Sequence, residues 1–181
     1  MNSAKAFPET EYVELYNTTD KAIELNGWSF LYGSKPTVLT ALLLDADGYV
    51  VLYRSGRDIH IDDAGLDLPL DKFPASLVNT GKELALFDPS GKEIDRIAYE
   101  KAKVGIAWER SETGFHLSTD ERGGTPGSAN SSPDDEPEDP DRPDTPHKPG
   151  IPTDIIVLPN EIVFNELLPN PYPEGSEYIE L

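Results

Sequence analysis

Three histidines, His60, His116 and His147, are the side chains of this sequence best suited to proton transfer or metal binding. His60 stands in Asp58-Ile59-His60-Ile61-Asp62, where alternation with isoleucines turns it toward solvent. Its flanking acids share its face, but one histidine and two aspartates do not make a metal set. His147 falls in a proline-rich tract. The sequence has no His-x-His or His-Glu-x-x-His zinc pattern, no Gly-x-Ser-x-Gly elbow and no phosphate-cradling glycine loop ahead of a helix. No catalytic residue is therefore expected. Asp45-Ala46-Asp47-Gly48 carries alternate oxygens followed by glycine, a pattern that suits calcium. Placing Gly48 sixth in a twelve-residue loop puts Leu43 first and Arg54 last, where carboxylates are required. Asp45 and Asp47 remain as metal candidates, and the expected reading is an Asp-Gly hairpin turn between Leu44 and Tyr49. Asp58, Asp62, Asp63 and Asp67 form a second acidic cluster, expected in or near a loop and solvated. No cofactor is expected, with calcium as the alternative.

The aromatic residues offer a second kind of chemistry. Trp28 and Trp108 suit either ligand platforms or core packing; core is expected for Trp28, and both stay open for Trp108. Tyr12, Tyr16, Tyr49, Tyr53 and Tyr99 lie in expected strands. A carbohydrate-facing stripe is one use for them, and cross-strand packing is the ordinary one.

These residues are carried on short strands. Val13 and Leu15 alternate with Glu14 and Tyr16, and Ile23 and Leu25 with Glu24 and Asn26. Segments 28–32, 37–44, 49–53, 83–87, 94–99 and 105–109 are rich in β-branched and aromatic residues. Turn signals separate them: residues 17–20, Asn26-Gly27, Asp47-Gly48, residues 79–81 and Asp88-Pro89-Ser90-Gly91. No segment holds a 3.6-residue apolar stripe. The expectation is an all-β sandwich or barrel of about 130 residues, enough for one buried core. Residues 123–130 read as irregular.

Composition narrows the partners. The 181 residues carry a net charge of −19, which repels nucleic-acid phosphate and anionic lipid. Cysteine is absent, which excludes disulfides and thiolate metal sites. The longest apolar runs, such as 41–44 and 155–158, are too short to span a membrane.

Residues 131–150 hold six prolines and seven acids. Such a tract has no apolar area with which to offset the entropy of ordering, and it reads as an extended spacer. Beyond it the chain repeats itself. Phe7-Pro8-Glu9 leads into Glu11-Tyr12-Val13-Glu14-Leu15, and Tyr172-Pro173-Glu174 leads into Glu177-Tyr178-Ile179-Glu180-Leu181. The expected organisation is a β domain over 1–130, an acidic Pro-rich linker over 131–152, and the opening strands of a second copy over 153–181.

Several phrases, in order, resemble the lamin tail domain family: residues 11–17, 23–28, 48–52, 77–88 and 94–99, and the closing Gly124-Thr-Pro-Gly-Ser-Ala-Asn130. Ile162-Val-Phe-Asn-Glu-Leu-Leu-Pro-Asn170 resembles the strand with which that family opens. Residues 1–6 hold no such phrase. The resemblance implies an immunoglobulin-like β-sandwich and carries no catalytic motif. It implies an exported, multi-domain bacterial setting, in some members beside nucleases or phosphoesterases.

Ile162, Val163, Phe164, Asn165, Glu166 and Leu167 are therefore the expected interaction residues, completing a sheet either in cis or by exchange with another copy. Glu177–Leu181 would then compete with Glu11–Leu15 for one position. The expected function is a non-catalytic structural or interaction module of a tandem extracellular or cell-surface protein. Its expected partner is protein, self included through strand exchange, with neither nucleic acid nor a membrane span. The alternatives are an accessory domain of a secreted hydrolase and a calcium-stabilised adhesion module.

Overall fold

A computed structural model describes residues 10–57, 59, 61, 65–112, 114–131 and 161–171. His60, His147, Asp58, Asp62, Asp63 and the repeat at 177–181 lie outside these residues, as do 132–160. Within the described residues twelve strands and no helix are found. They are β1 (Tyr12–Asn17), β2 (Ile23–Glu24), β3 (Ser29–Tyr32), β4 (Lys35–Val38), β5 (Leu43–Leu44) and β6 (Tyr49–Arg54), then β7 (Gly65–Leu70), β8 (Lys82–Phe87), β9 (Glu93–Tyr99), β10 (Trp108–Ser111), β11 (Gly114–Leu117) and β12 (Ile162–Leu168).

One sheet has the order β11-β10-β12-β1-β6-β7 and the facing sheet β4-β3-β8-β9, with β2 and β5 forming a small separate ladder. All pairs are antiparallel except β6 with β7. The core lies between the two large sheets. Val13 and Leu15 from β1, Val50 and Leu52 from β6 and Phe164 and Leu167 from β12 meet Phe30, Leu84, Leu86 and Ile97 from the other side. Alternation explains this directly, since every second residue of β1 and β6 faces inward.

The outer face of the six-stranded sheet is covered as well. Tyr12, Val51, Tyr53, Ala107 and Leu168 form a second apolar cluster there, with Ile59 and Ile61 packed on it. That cover is why β6 reads as an unbroken apolar run. A strand wetted on one face would alternate.

Several expectations change. The segment expected as one strand over 37–44 is two, β4 and β5, with a break at 39–42. Asp47-Gly48 does not close a hairpin, because β5 pairs with β2 and β6 with β1. The turn instead carries the chain from the small ladder to the large sheet. Asp47 adopts a left-handed φ of 53° there, and Gly48 N–H donates to Asp45 O at 3.1 Å. The strand expected over 105–109 runs from Trp108 to Ser111, after a bridge between Lys103 and Ile106. β7 and β11 were not expected at all, and Asp67 lies on β7 rather than in a loop.

Candidate functional site

β12 is the element around which the polar chemistry gathers. All seven of its residues are buried, and it lies between β1 and β10. Ile162, Phe164 and Leu167 enter the main core. The register against β1 shifts between Glu14, opposite Glu166, and Leu15, opposite Phe164. That bulge leaves Asn165 as the extra residue, and it sends both Asn165 and Glu166 to the outer face. A regular strand would have turned one of them into the apolar core.

Glu166 faces Glu14 on β1 and Glu109 on β10, so three glutamates stand in line across three adjacent strands. None has any solvent exposure. Like charges directly opposite one another destabilise a sheet, and burial adds to that cost. Two responses are visible. The first is proton uptake. Burial, with Glu109 beside it, pushes the Glu166 carboxyl up to about 8. Burial and then Glu166 hold Glu14 well above the usual carboxylate range. The buried Tyr12 hydroxyl, next to Glu166, is likewise raised far above 10.

The second response is a set of donors brought by residues 124–131. Thr125 N–H reaches the two oxygens of Glu166 at 3.1 and 3.0 Å, and its hydroxyl lies 3.0 Å from Oε2. Tyr12 OH donates to the same carboxyl. Gly127 N–H donates to Glu14 at 2.5 Å, and Ser131 N–H to Glu109 at 2.9 Å. Asn165 Nδ2 donates to Glu14 at 2.7 Å and to Asn130 Oδ1 at 2.9 Å, while Asn130 Nδ2 donates to Asn165 O at 3.0 Å. Gly124 permits this approach: a Cβ there would lie 2.4 Å from Glu166 Oε1 and 2.8 Å from Tyr12 OH.

On the other side of the bulge, Phe164 is held by its backbone. Its N–H donates to Asp95 of β9 at 2.8 Å, and its carbonyl accepts from Arg110 Nε at 2.6 Å. Asp95 and Arg110 pair with each other at 2.5 Å, with Asp95 6% and Arg110 31% exposed at the side chain. The bulge frees backbone groups from the ladder, and this ion pair satisfies them while tying the two sheets together.

This arrangement binds a strand and a loop to a sheet. It does not meet the needs of catalysis, since the acids are sealed and their oxygens already accept donors from the chain. Among the described residues, no group of three His, Asp or Glu is placed to hold a metal ion. A cavity of about 180 Å³ elsewhere is lined by Thr10, Glu11, Arg54, Arg57, Phe73, Ala75 and Pro171. It is smaller than the usual ligand pocket.

The other candidates are scattered. Asp47 accepts from Tyr16 OH at 3.0 Å, and Asp45 O accepts from Asn17 Nδ2 at 2.8 Å. Both belong to the turn beside β1. Trp28 is in the core, and Trp108 is half-buried against it. The five tyrosines form no single stripe. Tyr12, Tyr16, Tyr49 and Tyr53 lie on the outer face of the large sheet, where Tyr16 and Tyr49 stack at 4.7 Å. Tyr99 lies in the other sheet and donates to Val78 O at 2.7 Å. His116 sits on β11, its Nδ1 3.0 Å from Leu117 O.

Sequence reasoning singled out Asn165 and Glu166 but missed their partners. An acid at an alternating polar position, such as Glu14 or Glu109, carries no local mark of burial. The available signal was Gly123-Gly124-Thr125-Pro126-Gly127, a run of small residues that lets one backbone lie against another.

No helix among the described residues is long and apolar enough to cross a membrane. No curated protein and no solved structure gives a match to the chain. The family model for the lamin tail domain matches residues 1–101, more than half of the sequence. That family is one of non-catalytic, immunoglobulin-like β-sandwiches that act in protein interaction, in keeping with the two packed sheets and sealed polar seam described above. The chain belongs to the lamin tail domain family.

Proposed function

We propose that this chain is a non-catalytic linking module of a tandem, exported or surface protein. Residues 1–130 form its body, 131–152 a spacer, and 153–181 the start of a second copy. One observation carries the reading. The strand that fills the middle of the large sheet, β12, comes from beyond the acidic proline-rich tract and stands just ahead of the repeated Glu-Tyr-Ile-Glu-Leu phrase. A sheet closed by such a strand couples each module to the chain that follows it. The partner is protein, met through backbone ladders and not through a pocket. The charge of −19 argues against nucleic acid, and no cofactor is needed for this role.

The test is light scattering behind size exclusion, with a thermal melt, on the full chain and on a version ending at Asn130. The short form is expected to lose its cooperative melt or to melt far lower. The same oligomeric state and equal melting of the two forms would refute the reading.

A further inference from the structure

We propose that β12 is an exchangeable strand: two copies of this chain trade residues 162–168, each closing the six-stranded sheet of the other. The inference rests on the linking-module reading and names the partner of the same seam as a second copy of this chain.

Every described interaction that holds β12 runs between residues 161–171 and the body at 10–131. The ladders to β1 and β10, the Glu166 contacts with Tyr12 and Thr125, the grip of Asp95 and Arg110 on Phe164, and the bond from Gly105 N–H to Asn170 O at 2.7 Å are all of this kind. None depends on which copy supplies the strand. A strand from a second chain would meet the same donors at the same positions. Reciprocal exchange then gives a closed two-fold dimer with no new interface to build.

The repeat supplies an independent argument. Glu177-Tyr-Ile-Glu-Leu181 duplicates Glu11-Tyr-Val-Glu-Leu15, the strand that β12 pairs with. β12 therefore precedes, on its own chain, a second copy of its partner. β12 can pair its β1-facing edge with only one acceptor at a time, so with two equivalent acceptors along the chain the sheet it closes is not fixed by sequence alone.

Chain concentration decides between the closed monomer and the exchanged dimer. A connecting segment of this size gives a local strand concentration on the order of millimolar or below. The full chain is then monomeric at micromolar concentration, and the dimer grows toward millimolar. Shortening the connection removes the local option. Ser131 N–H binds Glu109, which faces Glu166, and Glu161 lies five residues further along β12, about 17 Å away at ~3.3 Å per residue. Deleting residues 133–158 leaves a reach of only about 15 Å at ~3.8 Å per step.

The experiment compares this deletion with the full chain by light scattering and thermal melting. A trap accompanies it in the full chain, which has no cysteine of its own. Thr18 N–H donates to Glu161 O at 3.1 Å, and both residues are exposed. Equal amounts of Thr18→Cys and Glu161→Cys chains are mixed near millimolar concentration, passed through mild denaturant, returned to buffer and oxidised. The expected result is a dimeric deletion variant that melts cooperatively, together with a disulfide-linked heterodimer on a non-reducing gel. A deletion variant that stays monomeric, or that does not fold at any concentration, overturns the proposal, as does the absence of the heterodimer. If exchange fails while truncation at Asn130 still destabilises the chain, the linking-module reading stands alone. If truncation has no effect, that reading falls as well.

Discussion

Replacing Glu166 with glutamine should make the protein less sensitive to alkaline pH. Glu166 is fully buried, faces two other glutamates, and has its carboxyl raised from 4.5 to about 8. Below pH 4.5 the folded and unfolded chains both hold this proton, and the site adds no pH dependence. Between 4.5 and about 8 the folded chain keeps a proton that the unfolded chain has lost. Stability then falls as pH rises, at about 1.4 kcal/mol per pH unit for one proton. Carried across the whole interval, the loss amounts to about 5 kcal/mol, as an order of magnitude. Glu14 has the same sign, because burial and then Glu166 raise it too. Glutamine keeps the shape of the neutral acid and an acceptor for Thr125 N–H, but it cannot ionise. The assay is urea unfolding followed by tryptophan fluorescence at pH 5.5, 6.5, 7.5 and 8.5. Glu166→Gln should exceed the parent by about 1 kcal/mol at pH 5.5 and by about 4 kcal/mol at pH 7.5, taking glutamine as equal to the neutral acid. Repulsion among the acids outside this seam also grows with pH, but it is present in both proteins and cancels in the difference, while removing the Glu166 charge also relieves Glu14 and adds to the difference with the same sign. Parallel stability curves would refute the reasoning. They would mean that Glu166 is charged in the folded state and that donors alone make its burial tolerable.

Other outcomes follow from the same seam. Phe164→Ala empties a fully buried site in the core and should cost about 3–5 kcal/mol by denaturant unfolding. Asp95→Ala leaves Arg110 and the Phe164 N–H without their acceptor. Because Arg110 is partly exposed and can turn to water, the loss should be near 3 kcal/mol, the low end for a broken buried pair. Gly124→Ala puts a Cβ 2.4 Å from Glu166 Oε1 and should cost more than Gly91→Ala. At Gly91 the side has open space, and only a φ of 83° opposes the substitution, at about 1–2 kcal/mol. Equal melting of those two variants would argue against close packing of residues 123–131 on the sheet. Millimolar calcium or chelator should leave the melting temperature unchanged, since a bound ion present at a hundred times its Kd would add about 2.7 kcal/mol.

Local patterning was enough to read β1, β3, β6, β8 and β9, along with the all-β class, while β12 was read from its resemblance to the strand that opens the lamin tail domain family. Alternation and turn chemistry are properties of a few adjacent residues, so they survive without knowledge of the rest of the chain. Pairing is not such a property. Asp47-Gly48 has the composition of a hairpin turn, yet it links two strands that lie in different sheets, because Ile23–Glu24 and Tyr12–Asn17 compete successfully for their edges. β7, with Pro69 and an exposed Asp67, lacks the mark of a strand and exists because it adds to the edge of β6.

The polar seam shows the same division more sharply. Sequence alone placed Glu14 and Glu109 at polar positions of strands, and singled out residues 162–167 as a strand in search of a sheet. That three glutamates meet and lose their water, and that Glu14 and Glu166 are pushed toward their protonated forms, was decided by tertiary structure. Glu14 and Glu166 are 152 residues apart in the chain, and their cover comes from residues 124–131. A side chain's alternation tells which face it occupies. Only the fold determines what lies on that face, and for a carboxyl group that difference separates a solvated charge from a buried acid.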